Sequence, residues 1–66
     1  MNRWVVFNRF TTYDGSFFHV YVDADHAAGA VDVAVKVFEY MAEQNALGLG
    51  PDFVNPELMT ALRVSQ

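Results

Sequence analysis

The chain has 66 residues, no cysteine and a formal net charge of −4 at pH 7, and 53% of its residues are hydrophobic. This composition excludes disulfide bonds, thiolate zinc sites and a disordered chain, and the charged residues within the longest apolar stretch exclude a membrane-spanning helix. The acidic balance disfavours direct nucleic-acid binding and favours a protein partner with a basic surface. With Met1 first and no signal-peptide pattern, we expect a complete small open reading frame that forms one domain, residues 1–66.

The N-terminal third predicts a β-hairpin. Two runs rich in Val, Phe, Tyr and Thr, Arg3–Thr12 and Phe17–Asp23, flank the dipeptide Asp14-Gly15. Asp-Gly between β-like runs is typical of a type I′ turn, because both central residues need positive φ. A turn of this kind pairs Tyr13 with Ser16 and fixes every later pair of the hairpin.

This register predicts two apolar faces on the hairpin. One is mainly aliphatic and carries Val5, Phe7, Arg9, Thr11, Phe18, Val20 and Val22. The other is mainly aromatic and carries Trp4, Val6, Asn8, Phe10, Phe17, His19, Tyr21 and Asp23. A loop with an odd number of residues would move one strand's side chains to the other face.

The middle of the chain predicts one long helix, His26–Leu47. Asp25 is the expected N-cap and Gly48 the expected C-terminal stop. One face of this helix is apolar or small (Ala27, Ala30, Val31, Ala34, Phe38, Met41, Asn45), and the opposite face is mainly charged (Asp25, Gly29, Asp32, Lys36, Glu39, Glu43). The alternating valines from Val31 to Val37 support a strand as the alternative, but the length, the alanine content and the helical spacing of the charges favour a helix.

The C-terminal quarter gives a mixed signal. Leu49–Asn55 has a loop-like composition, and Asn55-Pro56-Glu57 resembles a helix start with an Asn cap. Apolar residues then alternate as in a strand, which we place near Met59–Ser65 because a hairpin and one helix need a third strand for stability. The predicted fold is therefore α+β, with a small antiparallel sheet packed on one long helix in ββαβ order.

Two sets of side chains are candidates for binding a partner protein. The first is aromatic, since such residues are enriched in interface cores, and comprises Trp4, Phe10, Phe17, His19 and Tyr21. The second would dock on a basic surface and comprises Asp14, Asp32, Glu39 and Glu43. The alternatives are that the aromatic face is the internal core, with the aliphatic face outward, and that the acidic residues are an ordinary solvated surface.

No motif of catalysis, metal binding or cofactor binding stands out. Asp23-Ala24-Asp25-His26 matches no defined metal site, and Gly48-Leu49-Gly50-Pro51 is typical of a helix stop rather than a phosphate loop. Nothing in the sequence brings Ser16, Ser65, His19 and His26 together as nucleophile and base. We therefore predict no catalytic residue, no metal and no cofactor, and a protein that is not an enzyme.

The stretch from Phe18 to Ala28, FHVYVDADHAA, runs from a strand through an Ala-Asp cap into an alanine-rich helix. Over residues 17–46 this layout resembles small proteins of phages and mobile elements, including several anti-CRISPR proteins. The resemblance implies a non-catalytic inhibitor that acts in the bacterial cytoplasm and occludes a CRISPR effector complex at a surface meant for DNA. The alternative is a homodimeric structural or regulatory module, such as a toxin–antitoxin partner.

Overall fold

The computed structural model of this chain describes residues 1–45 and 48–65 and confirms the predicted α+β fold. Its elements are β1 (Asn2–Thr11), β2 (Phe17–Ala24), α1 (Ala27–Asn45), two short 3₁₀ turns (Pro51–Val54 and Pro56–Leu58) and β3 (Thr60–Ser65). The strands form one antiparallel sheet in the order β2-β1-β3. Because β2 and β3 flank β1 and run parallel to each other, the connection through α1 crosses over β1.

The helix packs on one face of the sheet, as its periodicity predicts. Ala30, Ala34 and Phe38 are fully buried there, and the alternating valines belong to the helix rather than to a strand. The helix begins at Ala27, two residues after the expected N-cap Asp25, and the predicted end at Leu47 lies outside the described residues. Within the described part of the chain, no helix has the length and apolar content needed to cross a membrane.

The hairpin turn is present, but its predicted register is wrong. The Thr12 N–H donates to the Ser16 carbonyl and the Gly15 N–H to the Thr12 carbonyl, so the loop has three residues rather than two. Gly15 takes φ 91°, the left-handed conformation that such a loop requires at its last position. The odd loop moves β2 by one residue relative to β1 and exchanges its faces.

A bulge in β1 shifts the register again, between Phe7 and Thr11. Asn8 lies in this segment and is 4% exposed. Its amide oxygen accepts from the Phe10 N–H at 3.1 Å, and its amide nitrogen donates to the Phe53 carbonyl at 2.6 Å. One buried side chain therefore satisfies the backbone of the bulge and ties β1 to the first 3₁₀ turn.

Phe53 is central to the core although its segment has a loop-like composition. Its ring is 1% exposed and lies 5.2 Å from Phe18, 5.4 Å from Phe38 and 5.8 Å from Phe10, between ring centroids. Two of these contacts are edge-to-face, the arrangement that aromatic quadrupoles favour. The first 3₁₀ turn thus closes the end of the core that the helix and sheet leave open.

The last strand follows its predicted cap. The Asn55 side chain accepts from the Glu57 N–H at 3.0 Å and begins the second 3₁₀ turn, Pro56–Leu58, after which the chain extends into β3. Both signals in this segment were therefore valid, because the helix start produces one short turn and the alternation then produces the strand. β3 spans Thr60–Ser65 where Met59–Ser65 was expected.

Candidate interaction surfaces

The five predicted aromatic-face residues do not share one face, which corrects the grouping made from the sequence. Trp4 and Phe10 lie on the helix side of the sheet and pack against the core. The Trp4 indole donates to the Ala24 carbonyl at 3.0 Å. Phe17, His19 and Tyr21 occupy alternate positions of β2 and lie on the opposite side, because the three-residue loop exchanged the faces of that strand.

The side of the sheet away from the helix carries an apolar surface that we call the outer sheet face. It comprises Val5, Phe7, Phe17, His19, Tyr21, Thr60 and Leu62. Tyr21 is 60% exposed, Leu62 53% and Phe17 52%, whereas Val5 beneath them is buried. The His19 ring lies 5.6 Å from that of Phe7 and 5.8 Å from that of Tyr21, so the rings form a row across two strands.

A shallow groove of about 570 Å³ lies at the bulge end of the outer sheet face. It is lined by Phe7, Asn8, Arg9, Phe17, Leu58 and Thr60. Most of this lining is apolar, and Arg9 is exposed. The groove is therefore suited to an apolar side chain of a partner.

The solvent side of α1 carries a second surface, of which the sequence predicted the acidic residues but not the apolar ones. Three acidic residues, Asp32, Glu39 and Glu43, are exposed along it and form what we call the helix ridge. Beside them Val33, Val37 and Tyr40 are 42%, 36% and 66% exposed and form the helix stripe. Their i, i+4, i+7 spacing is the signal that identifies the stripe as one line on the helix.

The helix ridge and the helix stripe lie on the same helix, whereas the outer sheet face lies across the sheet from it. Asp32 and Lys36 are four residues apart on the helix, a spacing at which opposite charges can pair. Within the described residues, however, the ion pair within 4.0 Å is Arg3–Asp23, at 3.2 Å. The ridge carboxylates thus remain open to a partner. A flat partner that contacts the ridge does not reach Phe17, His19 or Tyr21.

Asp14 lies apart from both surfaces, in the hairpin loop. Its carboxylate accepts from the Thr12 hydroxyl and from the Ser16 N–H, the latter at 3.0 Å. These hydrogen bonds, that of Thr12 first, lower the pKa of Asp14 below its ordinary value of 3.8. The position of Asp14 is explained by the loop it stabilises, and its role in binding stays a prediction.

The lowered pKa of Asp14 predicts a pH-dependent contribution to stability. A carboxyl whose folded pKa is depressed stabilises the fold above its unfolded pKa, near 3.8, and loses this effect as the pH falls through the folded value. We expect Asp14→Ala to lower the free energy of unfolding at neutral pH, and the difference from wild type to shrink below pH 3.8. Urea unfolding at several pH values measures this; Asp14→Asn, which keeps an acceptor but does not titrate, is the control. A constant difference at every pH would contradict the assignment.

Among residues 1–45 and 48–65, no three His, Cys, Asp or Glu side chains lie close enough together to hold a metal ion. Asp23 pairs with Arg3, and Asp25 uses its backbone carbonyl to accept from Asn2. No protein-family model, no curated protein and no solved structure matches this chain.

Proposed function

We propose that this chain is a non-catalytic protein-binding module whose helix occupies a basic groove of a nucleic-acid-binding complex. One observation carries the proposal: on the solvent side of α1, the apolar helix stripe and the acidic helix ridge share one exposed surface, with Lys36 between them. A helix that binds in a groove uses apolar anchors at i, i+4 and i+7, which is the spacing of Val33, Val37 and Tyr40. Tyrosine is also a frequent hot-spot residue at interfaces.

The partner's chemistry follows from the charges beside those anchors. Asp32 and Glu43 are separated by about 16 Å along the helix axis, at 1.5 Å per residue, with Glu39 between them. The exposed Lys36 lies on the same line, between Asp32 and Glu39, so the line holds three negative charges and one positive charge. It is acidic in sum and presents carboxylates at intervals, as a nucleic-acid backbone presents phosphates. Basic residues that bind phosphates would thus meet carboxylates instead, while the helix stripe supplies the apolar centre of the interface.

CRISPR effector complexes are the target class we propose, in line with the resemblance of residues 17–46 to small phage proteins. The inhibitor would act by occlusion in the bacterial cytoplasm, and the mode of action requires neither a cofactor nor a bond-making step. The aromatic contacts expected from the hairpin are replaced in this proposal by Tyr40 and its neighbours. Trp4 and Phe10 pack inside the fold, and the other three aromatic-face residues lie across the sheet from the helix.

The test is displacement of fluorescent target DNA from a panel of purified effector complexes loaded with guide RNA. We expect the wild-type chain to displace DNA from at least one complex, and the double variant Asp32→Lys/Glu43→Lys to lose this effect. The matched control, Asp52→Lys/Glu57→Lys, has the same net charge but alters exposed acids of the 3₁₀ turns instead of the helix. It should displace DNA like wild type.

Two results would count against the proposal. If no complex in the panel releases DNA at a large excess of the wild-type chain, the effector target is wrong. If both double variants weaken displacement equally, net charge rather than the helix ridge is responsible, and the groove-binding mode is wrong.

A further inference from the structure

The outer sheet face has no cover within the described chain, although apolar residues of all three strands lie on it. Phe17, Tyr21 and Leu62 are each more than half exposed there. Buried Val5 and the half-buried Phe7 lie among them, so the patch is continuous across all three strands. Continuous exposed apolar patches of this kind mark sites of association.

We infer that the cover is a second copy of this chain, whose outer sheet face packs against the first. The inference is independent of the proposed function, because the helix ridge lies on the other side of the sheet. Two such sheets would pack face to face, as the layers of a β-sandwich do. Both helices, with their acidic ridges, would then point outward.

The distribution of charge favours a second copy of the chain over a charged partner at the outer sheet face. The apolar centre of the outer sheet face carries no charged group. Arg3 and Asp23 neutralise each other at one end, at 3.2 Å, and the exposed Arg9 lies at the other end. A basic or an acidic partner therefore gains little there, whereas a second neutral face buries no unpaired charge in the centre. Association through the helices would instead bring Asp32, Glu39 and Glu43 of one copy towards those of the other. Lys36 offsets one of the three charges, so two surfaces of net negative charge would meet, which is repulsive.

The available area is compatible with a specific dimer. The exposed fractions of Phe17, Tyr21 and Leu62 correspond to roughly 400 Å², about half of the ~800 Å² that each partner contributes to a standard interface. His19, Thr60 and Arg9 are exposed around them and supply a polar rim. The groove lined by Phe7, Phe17 and Leu58 can receive an apolar side chain from the other copy.

The experiment is sedimentation equilibrium over protein concentrations from about 1 µM to about 1 mM, a range that covers weak and moderate dimers. We expect the wild-type mass to rise from the 7.4 kDa of the monomer to twice that value. Tyr21→Ser should raise the dissociation constant at least tenfold, and Leu62→Asp should leave a monomer throughout. Both side chains are exposed, so circular dichroism should show that each variant remains folded.

Tyr40→Ser is the matched control, since Tyr40 is 66% exposed and Tyr21 60%, but Tyr40 lies on the helix stripe. It should leave the dissociation constant unchanged. A wild-type chain that stays monomeric at the highest concentration overturns the inference. So does a dimer that Tyr40→Ser dissociates, or one that survives both Tyr21→Ser and Leu62→Asp, since association would then use the helix or a strand edge.

Discussion

Replacing Phe53 with alanine is expected to unfold the protein or to bring it close to unfolding. The ring is 1% exposed and contacts three other phenylalanines, so its removal leaves a cavity that β1, β2 and α1 cannot all close. Phe→Ala changes in cores cost about 3–5 kcal/mol, which is comparable with the whole stability of a chain this short. Loss of the cooperative urea transition, followed by circular dichroism, is the expected observation.

The control for this prediction is Tyr13→Ala. Tyr13 also lies in a connection between elements, but it is fully exposed at the tip of the hairpin. Its replacement should shift the free energy of unfolding by less than about 0.5 kcal/mol. If Phe53→Ala were as mild as Tyr13→Ala, the first 3₁₀ turn would not be part of the core.

The second large effect is expected for Asn8→Asp, which changes one NH₂ group to an oxygen. The Asn8 amide donates to the Phe53 carbonyl at 2.6 Å, and a carboxylate at the same place would bury a charge against that carbonyl oxygen. We expect a loss of about 3 kcal/mol or more at neutral pH. Asn45→Asp, at an exposed position on the helix, should cost less than about 1 kcal/mol.

The pH dependence of the Asn8→Asp variant shows whether the buried charge, rather than a general disruption of the fold, causes the loss of stability. Burial beside a carbonyl raises the folded pKa of the introduced carboxyl above its unfolded value of about 3.9. Such a group destabilises the fold when ionised, and the penalty diminishes as the pH falls through the folded pKa, because the protonated form can donate a hydrogen bond. The stability deficit relative to wild type should therefore shrink on acidification. A deficit that stays constant with pH would mean that charge at position 8 is not responsible.

The sequence was sufficient for the element order but not for the faces of β2. Asp14-Gly15 places a turn reliably because few other residues accept positive φ, yet the dipeptide fits both a two-residue and a three-residue loop. These two loops differ by one residue of register, which exchanges every side chain of one strand between the faces. The bulge at Asn8 depends on a contact with Phe53, 45 residues later, which local patterns do not contain.

The candidate surfaces could also be predicted only in part from the sequence. Helical periodicity correctly placed Asp32, Glu39 and Glu43 in solvent, since these positions follow from the buried spacing of Ala30, Ala34 and Phe38. Predicting the helix stripe would have required knowing how much of the helix circumference the sheet covers. That depends on the width of the sheet and on the placement of Phe53, so Val33, Val37 and Tyr40 could not be separated from the core by periodicity alone.

The proposed target and the inferred second copy use different surfaces of the protein, the helix for the target and the outer sheet face for the second copy. The position of α1 over one side of the sheet keeps the two surfaces apart. Each can therefore be altered without the other. Substitutions in one surface should leave the function of the other in place.

The most direct test is a titration of target DNA displacement from one responsive effector complex, run with four proteins. These are wild type, Asp32→Lys/Glu43→Lys, the control Asp52→Lys/Glu57→Lys, and Leu62→Asp. We predict that only the helix-ridge variant loses displacement, because the other changes leave the exposed side chains of α1 unaltered. Loss of displacement in Leu62→Asp with retention in the helix-ridge variant would contradict the account, since the target would then bind the outer sheet face.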